Sequence, residues 1–287
     1  MLSYGMKFSS IYSDYSFYDS RQSQENLGGS IFNILRSHEL LRVLIARDLV
    51  NKYKRSVLGI LWSMFTPLLA TAVIYFVFNG IFAGRMPEQR GYASYVYSGI
   101  ILQTFIVSGI PLASNALAAH TSYIKKLRVA PYIFGISSSI SQAFQFLISC
   151  FPIIPLAFIS NQSLSWRVIL LPGLALLCIL TLSGFGMLMS GVMIRYDDSG
   201  YIVSTILMIM GYLTPIFYTI SSLPANVAFW VNLNPLTSYV LIARWMMFPN
   251  YDLNLANVVY ASVLSLAVFL LGLRKIGRNW NKWMMYL

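Results

Sequence analysis

Arg42, Arg47, Lys52, Lys54 and Arg55 place five cations within fourteen residues of one another. Arg and Lys side chains pair with phosphate oxygens through charge-assisted hydrogen bonds. The cluster therefore suits a phosphate-bearing head group, and it suits plain contact with anionic leaflet lipids equally. Other chemistry finds little support. His38 and His120 stand alone without ligand spacing, so no metal site is expected. Cys150 and Cys178 lie in apolar runs and read as packing residues. No Lys is followed by Ser or Thr, which excludes the phosphate-cradling GxxxxGK[ST] loop. Neither a Ser/His set nor paired acids are visible. The expectation is a chain that is not an enzyme and binds no cofactor of its own.

The elements that carry these cations are membrane elements. Of 287 residues, 57% are hydrophobic and 10% charged, against about 25% charged in a soluble domain. Mean hydropathy is +0.65, and so few charges cannot coat a water-exposed surface. Uncharged stretches run over 56–84, 91–124, 129–166, 168–194, 199–243 and 253–273. A helical span needs roughly 20 apolar residues, and lipid-exposed backbone must bond internally. Six spans follow, near 60–82, 93–114, 133–159, 168–193, 201–220 and 254–273. The end of the 199–243 stretch, SSLPANVAFWVNLNPLTSYVLIARW, carries two prolines, three asparagines and two tryptophans. It reads as short helices dipping back into the membrane before the last span, with a seventh span broken at Asn234-Pro235 as the alternative.

Lys and Arg set the orientation. With both termini in the cytoplasm, sixteen of the twenty fall inside and four (Arg85, Arg90, Arg167, Arg244) outside. The net charge of +11 then reflects topology rather than nucleic-acid binding. Residues 1–30 are polar, lack an apolar signal core and read as a mobile cytoplasmic tail. Residues 31–56 read as an amphipathic interfacial helix. At 100° per residue, Leu40, Leu41, Leu44 and Ile45 share an arc of about 140° with Ile34, while Arg36, Glu39, Arg42 and Arg47 lie opposite and Val43 is the misfit. Such helices lie in the membrane interface. Residues 57–287 form the six-span domain.

No acidic residue lies within any predicted span, whereas ion-coupled carriers place ionisable groups there or break helices around an ion site. Energy must come from a partner. The longest inner loop, LAAHTSYIKKLRVAPYIFG, either docks that partner or is an ordinary positive-inside loop.

The segment RSVLGILWSMFTPLL, behind a basic interfacial helix, is similar to the membrane subunits of type-2 ABC exporters for polysaccharides. Arg55, Ser56, Leu58, Gly59, Trp62 and Pro67 carry that pattern. WVNLNPLTSYVLIARWMMF resembles the family's second signature through Asn234, Pro235, Thr237, Tyr239 and Arg244. KKLRVAPYIFG resembles its element between spans two and three. The likeness covers roughly 34–280.

The resemblance implies an all-α membrane protein, forming a homodimer and joined by two copies of a nucleotide-binding subunit that carries ATP and Mg. The cargo would be a lipid-linked polysaccharide (O-antigen, capsule or teichoic acid) leaving the bacterial inner membrane. His120, Tyr123, Lys125, Lys126 and Arg128 would couple to the nucleotide-binding subunit. Pro215, Trp230, Asn234, Pro235 and Arg244 would form an outer gate. The five cations of 42–55 would border the lipid's access. Aromatic faces let sugars stack and slide, and Tyr75, Tyr97, Tyr212 and Tyr218 are the candidate channel lining. The alternatives are a type-2 exporter subunit for a drug or lipid, and a non-transporting membrane scaffold. The ten-residue loop at 83–92 disfavours the first, because those subunits often carry a large loop there.

Overall fold

A computed structural model describes residues 34, 36–78, 91–126 and 129–286. The tail 1–30, Arg85, Arg90 and Arg128 lie outside them, as do the side chains of Lys125 and Lys126. Among the described residues every regular element is a helix. In chain order they are α1 (His38–Tyr53), α2 (Trp62–Phe76), α3 (Tyr92–Ala119), α4 (Thr121–Lys126), α5 (Tyr132–Ser149), α6 (Ile153–Ile159), α7 (Leu171–Arg195), α8 (Ser199–Leu213), α9 (Ala225–Leu233), α10 (Pro235–Met247) and α11 (Leu255–Trp283).

Among the described residues, five helical stretches are long and apolar enough to cross a bilayer: Gly59–Phe76, Tyr92–Ala119, Tyr132–Ile159, Trp166–Arg195 and Leu255–Trp283. The sixth expected span is only partly helical. α8 stops at Leu213, and at about 1.5 Å per residue its fifteen residues reach about 22 Å, short of a full crossing. The expected helix to residue 220 gives way at Thr214-Pro215, where proline cannot accept the α-helical geometry of its predecessor. The third span bends at Cys150–Pro152 between α5 and α6, where Pro152 and Pro155 withhold backbone donors.

Lipid tails are as apolar as leucine, so close packing rather than water removal holds such helices together. α7 is the central post, packed on α3, α5 and α11. Its crossing with α11 is made by glycines: a Cβ on Gly184 would sit 2.6 Å from the Phe269 nitrogen, and one on Gly272 would sit 2.7 Å from the Gly184 carbonyl oxygen. Mid-bundle, the Phe105 and Phe146 rings stack at 4.9 Å. One end of the bundle closes over Leu117, Ile124, Tyr132, Ile276 and Trp280, with Leu44 of α1 packed among them. The opposite end holds Tyr95, Val96, Ile100 and Ile216.

α1 follows the amphipathic reading in its register. Leu44 is buried, Ile34, Leu40 and Leu41 pack beside it, and the misfit Val43 is exposed. The apolar arc, however, is turned onto α5, within the cluster that also holds the ends of α3 and α11, and not only toward lipid.

α9 and α10 form the hairpin that the prolines and asparagines announce. Asn234 caps α10 through its side-chain oxygen, which accepts from the Leu236 N–H, and Pro235 follows at the first helical position. Tyr239 reaches α7 and α11 well inside both: its hydroxyl lies 2.6 Å from Thr181 Oγ1 and 2.8 Å from Ser265 Oγ. At the far end of α10, the Met247 carbonyl accepts from the Ser165 N–H at 2.9 Å. Of the two short helices, α10 enters the bundle, while α9 lies largely exposed beside it.

Candidate functional site: a polar cleft beside the interfacial helix

On α3 the exposed positions recur at 104, 108, 112, 115 and 119, a single face at helical spacing. That face holds Thr104, Ser108, Leu112 and Asn115. A face turned to lipid would carry large apolar side chains. Polar side chains within a span face the bundle or a water-filled cavity. The face opens into a cleft of about 1370 Å³, walled by α1, α3, α5 and α8. Pro111 withholds the N–H that the Val107 carbonyl would take in a regular helix, and both residues line the cleft.

The opposite wall is built by α5. Gln142 and Gln145 are buried and meet the end of α1. Lys52 Nζ donates to Gln145 Oε1 at 2.5 Å and to Gln142 Oε1 at 3.4 Å. The Tyr53 hydroxyl donates to the same Gln145 oxygen at 3.0 Å. Gln142 Nε2 donates to Ser108 Oγ at 3.1 Å, closing a chain from α1 through α5 to α3. No carboxylate pairs with Lys52 among the described residues. The Lys52 side chain is exposed along part of its length, but the packing around its ammonium end desolvates it and holds it below the ordinary lysine range.

At the α4 end of the cleft, the Asp48 carboxylate lies 3.6 Å from His120 Nε2 and 3.9 Å from the Arg47 guanidinium. His120 Nδ1 lies 2.6 Å from the Ala116 carbonyl oxygen, which only accepts, so that nitrogen carries the proton. The Arg47 guanidinium also covers the Tyr123 ring at 4.5 Å. α1 is thus tied to the end of α3 and to α4 by two contacts of different kinds.

Of the five cations, the structure brings Arg47 and Lys52 into the cleft wall. Arg42 stays exposed beside Glu39 at 3.9 Å, and Lys54 and Arg55 are exposed past the end of α1. Of the four tyrosines, Tyr75 and Tyr212 are exposed on α2 and α8. Tyr218 is half-buried, and its hydroxyl donates to the Leu213 carbonyl. Tyr97 is a correction to the expected lining. It is fully buried and donates to the Ser149 carbonyl at 2.7 Å, so its ring packs α3 against α5 and meets no open surface of this chain.

Of the expected gate residues, Trp230 is exposed on α9. Pro215, Asn234 and Arg244 are buried at the joint between α8 and α10. Sequence reasoning missed Asp48, Gln142, Gln145 and the polar face of α3. The four-residue spacing from Thr104 to Ser108, continued by Asn115, was the signal for that face. Among the described residues no group of His, Cys, Asp or Glu could hold a metal ion.

Comparison with known proteins is consistent in kind. A family profile described as ABC-2 type transporter matches residues 39–248. An O-antigen export system permease protein, RfbA, of Klebsiella pneumoniae is 28% identical over 242 residues, covering 84% of this chain and 90% of that one. A capsule polysaccharide export inner-membrane protein, CtrC, of Neisseria meningitidis is 24% identical over 267 residues, covering 86% and 93%. An O-antigen export system permease protein, RfbA, of Myxococcus xanthus is 22% identical over 201 residues, covering 69% and 76%.

Proposed function

This chain belongs to the ABC-2 type transporter family, and on that premise we propose that it is the channel-forming subunit of an ATP-driven exporter of lipid-linked polysaccharide in a bacterial inner membrane. The observation that carries the reading is the polar face of α3 (Thr104, Ser108, Asn115) opening into a cleft with Lys52 and Arg47 in its wall. A hydroxyl-rich chain needs such a path to cross hydrocarbon, and a phosphate-bearing head group needs such cations.

In this reading two copies of the chain assemble with two nucleotide-binding subunits, which hold ATP and Mg and perform the hydrolysis. Both termini are cytoplasmic, and the end of the bundle that holds Leu44, Ile124 and Trp280 faces the cytoplasm. α4, with His120, Tyr123, Lys125 and Lys126, and Arg128 beyond it, meets the partner. α1 borders the access of the lipid head group. The exposed Tyr75 and Tyr212 and the half-buried Tyr218 offer rings for sugars to slide over. The α9–α10 hairpin guards the exit.

The test is co-expression with a candidate nucleotide-binding subunit, purification through this chain, and assay of ATP hydrolysis and glycan transport in proteoliposomes. A stoichiometric complex that hydrolyses ATP and moves lipid-linked glycan is expected. Replacing Lys125 and Lys126 together by Glu should uncouple the two activities. A stable, folded chain that captures no partner would overturn the reading.

A further inference from the structure

Beyond Leu213 the backbone leaves the helix while still inside the bundle: Thr214, Pro215 and Ile216 are buried. Backbone carbonyls without helical partners are costly in an apolar surrounding unless other donors reach them. Here side chains of α3 and α10 supply the donors. Arg244 Nη1 donates to the Pro215 carbonyl at 2.7 Å and Nη2 to the Ile216 carbonyl at 3.3 Å. The Tyr92 hydroxyl donates to the Phe217 carbonyl at 3.3 Å, and the Tyr95 hydroxyl to the Tyr218 carbonyl at 2.6 Å. Four consecutive carbonyls are held from outside their own segment.

Arg244 is 1% exposed, and its guanidinium lies 3.5 Å from the centre of the Tyr95 ring. Among the described residues no carboxylate forms an ion pair with it. A buried charge without a counter-charge is a poor way to stabilise a fold, and an apolar side chain of similar volume packs at lower cost. The charge is placed where it grips a segment that lies outside any helix, with the Ile216 N–H to Thr214 carbonyl bond within it. α3 is shaped around it: a Cβ on Gly99 would come within 2.9 Å of Ile216 Cγ2 and 3.2 Å of Arg244 Nη2.

α10 holds the same break from below. Asn234 Nδ2 donates to the Met210 carbonyl at 2.8 Å and to Thr214 Oγ1 at 3.1 Å. α10 itself is fixed to α7 and α11 through Tyr239. α9, by contrast, is largely exposed, with Phe229, Trp230 and Leu233 on its open side. The outer end thus divides into a fixed post, α10, and two parts hung from it, α9 and the segment 214–218.

We propose that Arg244, with Tyr92 and Tyr95, is a clasp that pins the broken outer end of α8 and so keeps the exit shut between transport events. Arg244 is a positioning residue in this account and touches no cargo. The proposal rests on the exporter reading. Because one side chain holds two neighbouring carbonyls, a small shift of α8 against α10 releases both together.

The experiment uses the complex with its nucleotide-binding subunit in proteoliposomes loaded with a small hydrophilic dye. Resting leak without ATP, ATP hydrolysis and glycan transport are read on the same preparation. Arg244→Met should raise the resting leak by about tenfold, the scale of lost charge-assisted hydrogen bonds, and lower transport while hydrolysis persists. Arg244→Lys should restore part of the closure. Tyr95→Phe and Gly99→Ala disturb the clasp without removing the charge. They should raise the leak even if Arg244→Met does not fold.

Unchanged leak in Tyr95→Phe and Gly99→Ala, whatever the fate of Arg244→Met, would overturn the clasp and leave Arg244 a packing residue. The leak requires no cargo. A wild-type complex that hydrolyses ATP but moves no glycan would therefore sink the exporter reading while the clasp is still judged by the leak.

Discussion

The Asp48 carboxylate and the His120 imidazole face each other at 3.6 Å, joining the interfacial helix to the end of the second span. Both side chains are largely buried, at 18% and 6% exposure, so the contact, attractive when the imidazole carries protons on both nitrogens, is screened by salt less than a surface pair. Asp48→Asn removes the carboxylate and leaves the shape. Hydrogen exchange across His38–Tyr53 should quicken, and the thermal midpoint should fall by a few degrees, as expected for a loss of about 1 kcal/mol. Unchanged exchange in that helix would mean that Leu44 alone holds it.

Lys52 offers a charge test. Lys52→Gln keeps a donor but removes the cation, and transport of a phosphate-linked glycan should fall about tenfold, the equivalent of one charge-assisted contact. Lys52→Arg should keep transport.

The same residue sets a pH dependence. Burial lowers the Lys52 ammonium, so raising pH discharges it before an ordinary lysine. Transport in the wild type should decline at a lower alkaline pH than in Lys52→Arg. Stability moves the opposite way. Between the lowered folded-state value and the ordinary unfolded one, the unfolded chain binds more protons, so folding gains stability as pH rises through that window. Coincident alkaline limbs for the two proteins would show that Lys52 does not govern transport.

The tyrosines separate lining from packing. Tyr212 is 67% exposed, so Tyr212→Ala should lower transport several-fold with the melting temperature unchanged. Tyr97→Phe loses the bond to the Ser149 carbonyl and should cost about 1 kcal/mol of stability, with transport per folded complex unaltered. Reversed results would exchange their roles.

The α7–α11 crossing is testable through its glycines. At Gly184 a Cβ meets backbone of Val268 and Phe269, atoms that cannot swing aside, so Gly184→Ala should destabilise by about 1–3 kcal/mol. Gly173 in the same helix has nothing within 4 Å. Gly173→Ala should be neutral or slightly stabilising, as measured by unfolding in detergent.

The sequence by itself determined that this is an all-helical membrane protein with several spans, a basic helix ahead of the first and a pair of short helices before the last. Those features follow from local quantities: uncharged runs long enough to cross hydrocarbon, the 100° spacing of Leu40, Leu41 and Leu44, and Asn234-Pro235 as a helix start. Only the tertiary structure decided what each polar group meets. Tyr97 and Tyr212 are the same residue type in equally apolar stretches, and one is sealed while the other is open, because burial depends on which helix face a neighbour covers. Gln142 and Gln145 gain their meaning from Lys52, some ninety residues earlier. Arg244 counted in sequence as one more outer cation, yet its charge is enclosed by carbonyls that exist as acceptors only because α8 breaks at Pro215. Hydropathy registers that a group is polar, but the partner that satisfies it lies on another helix, and that pairing is fixed by packing.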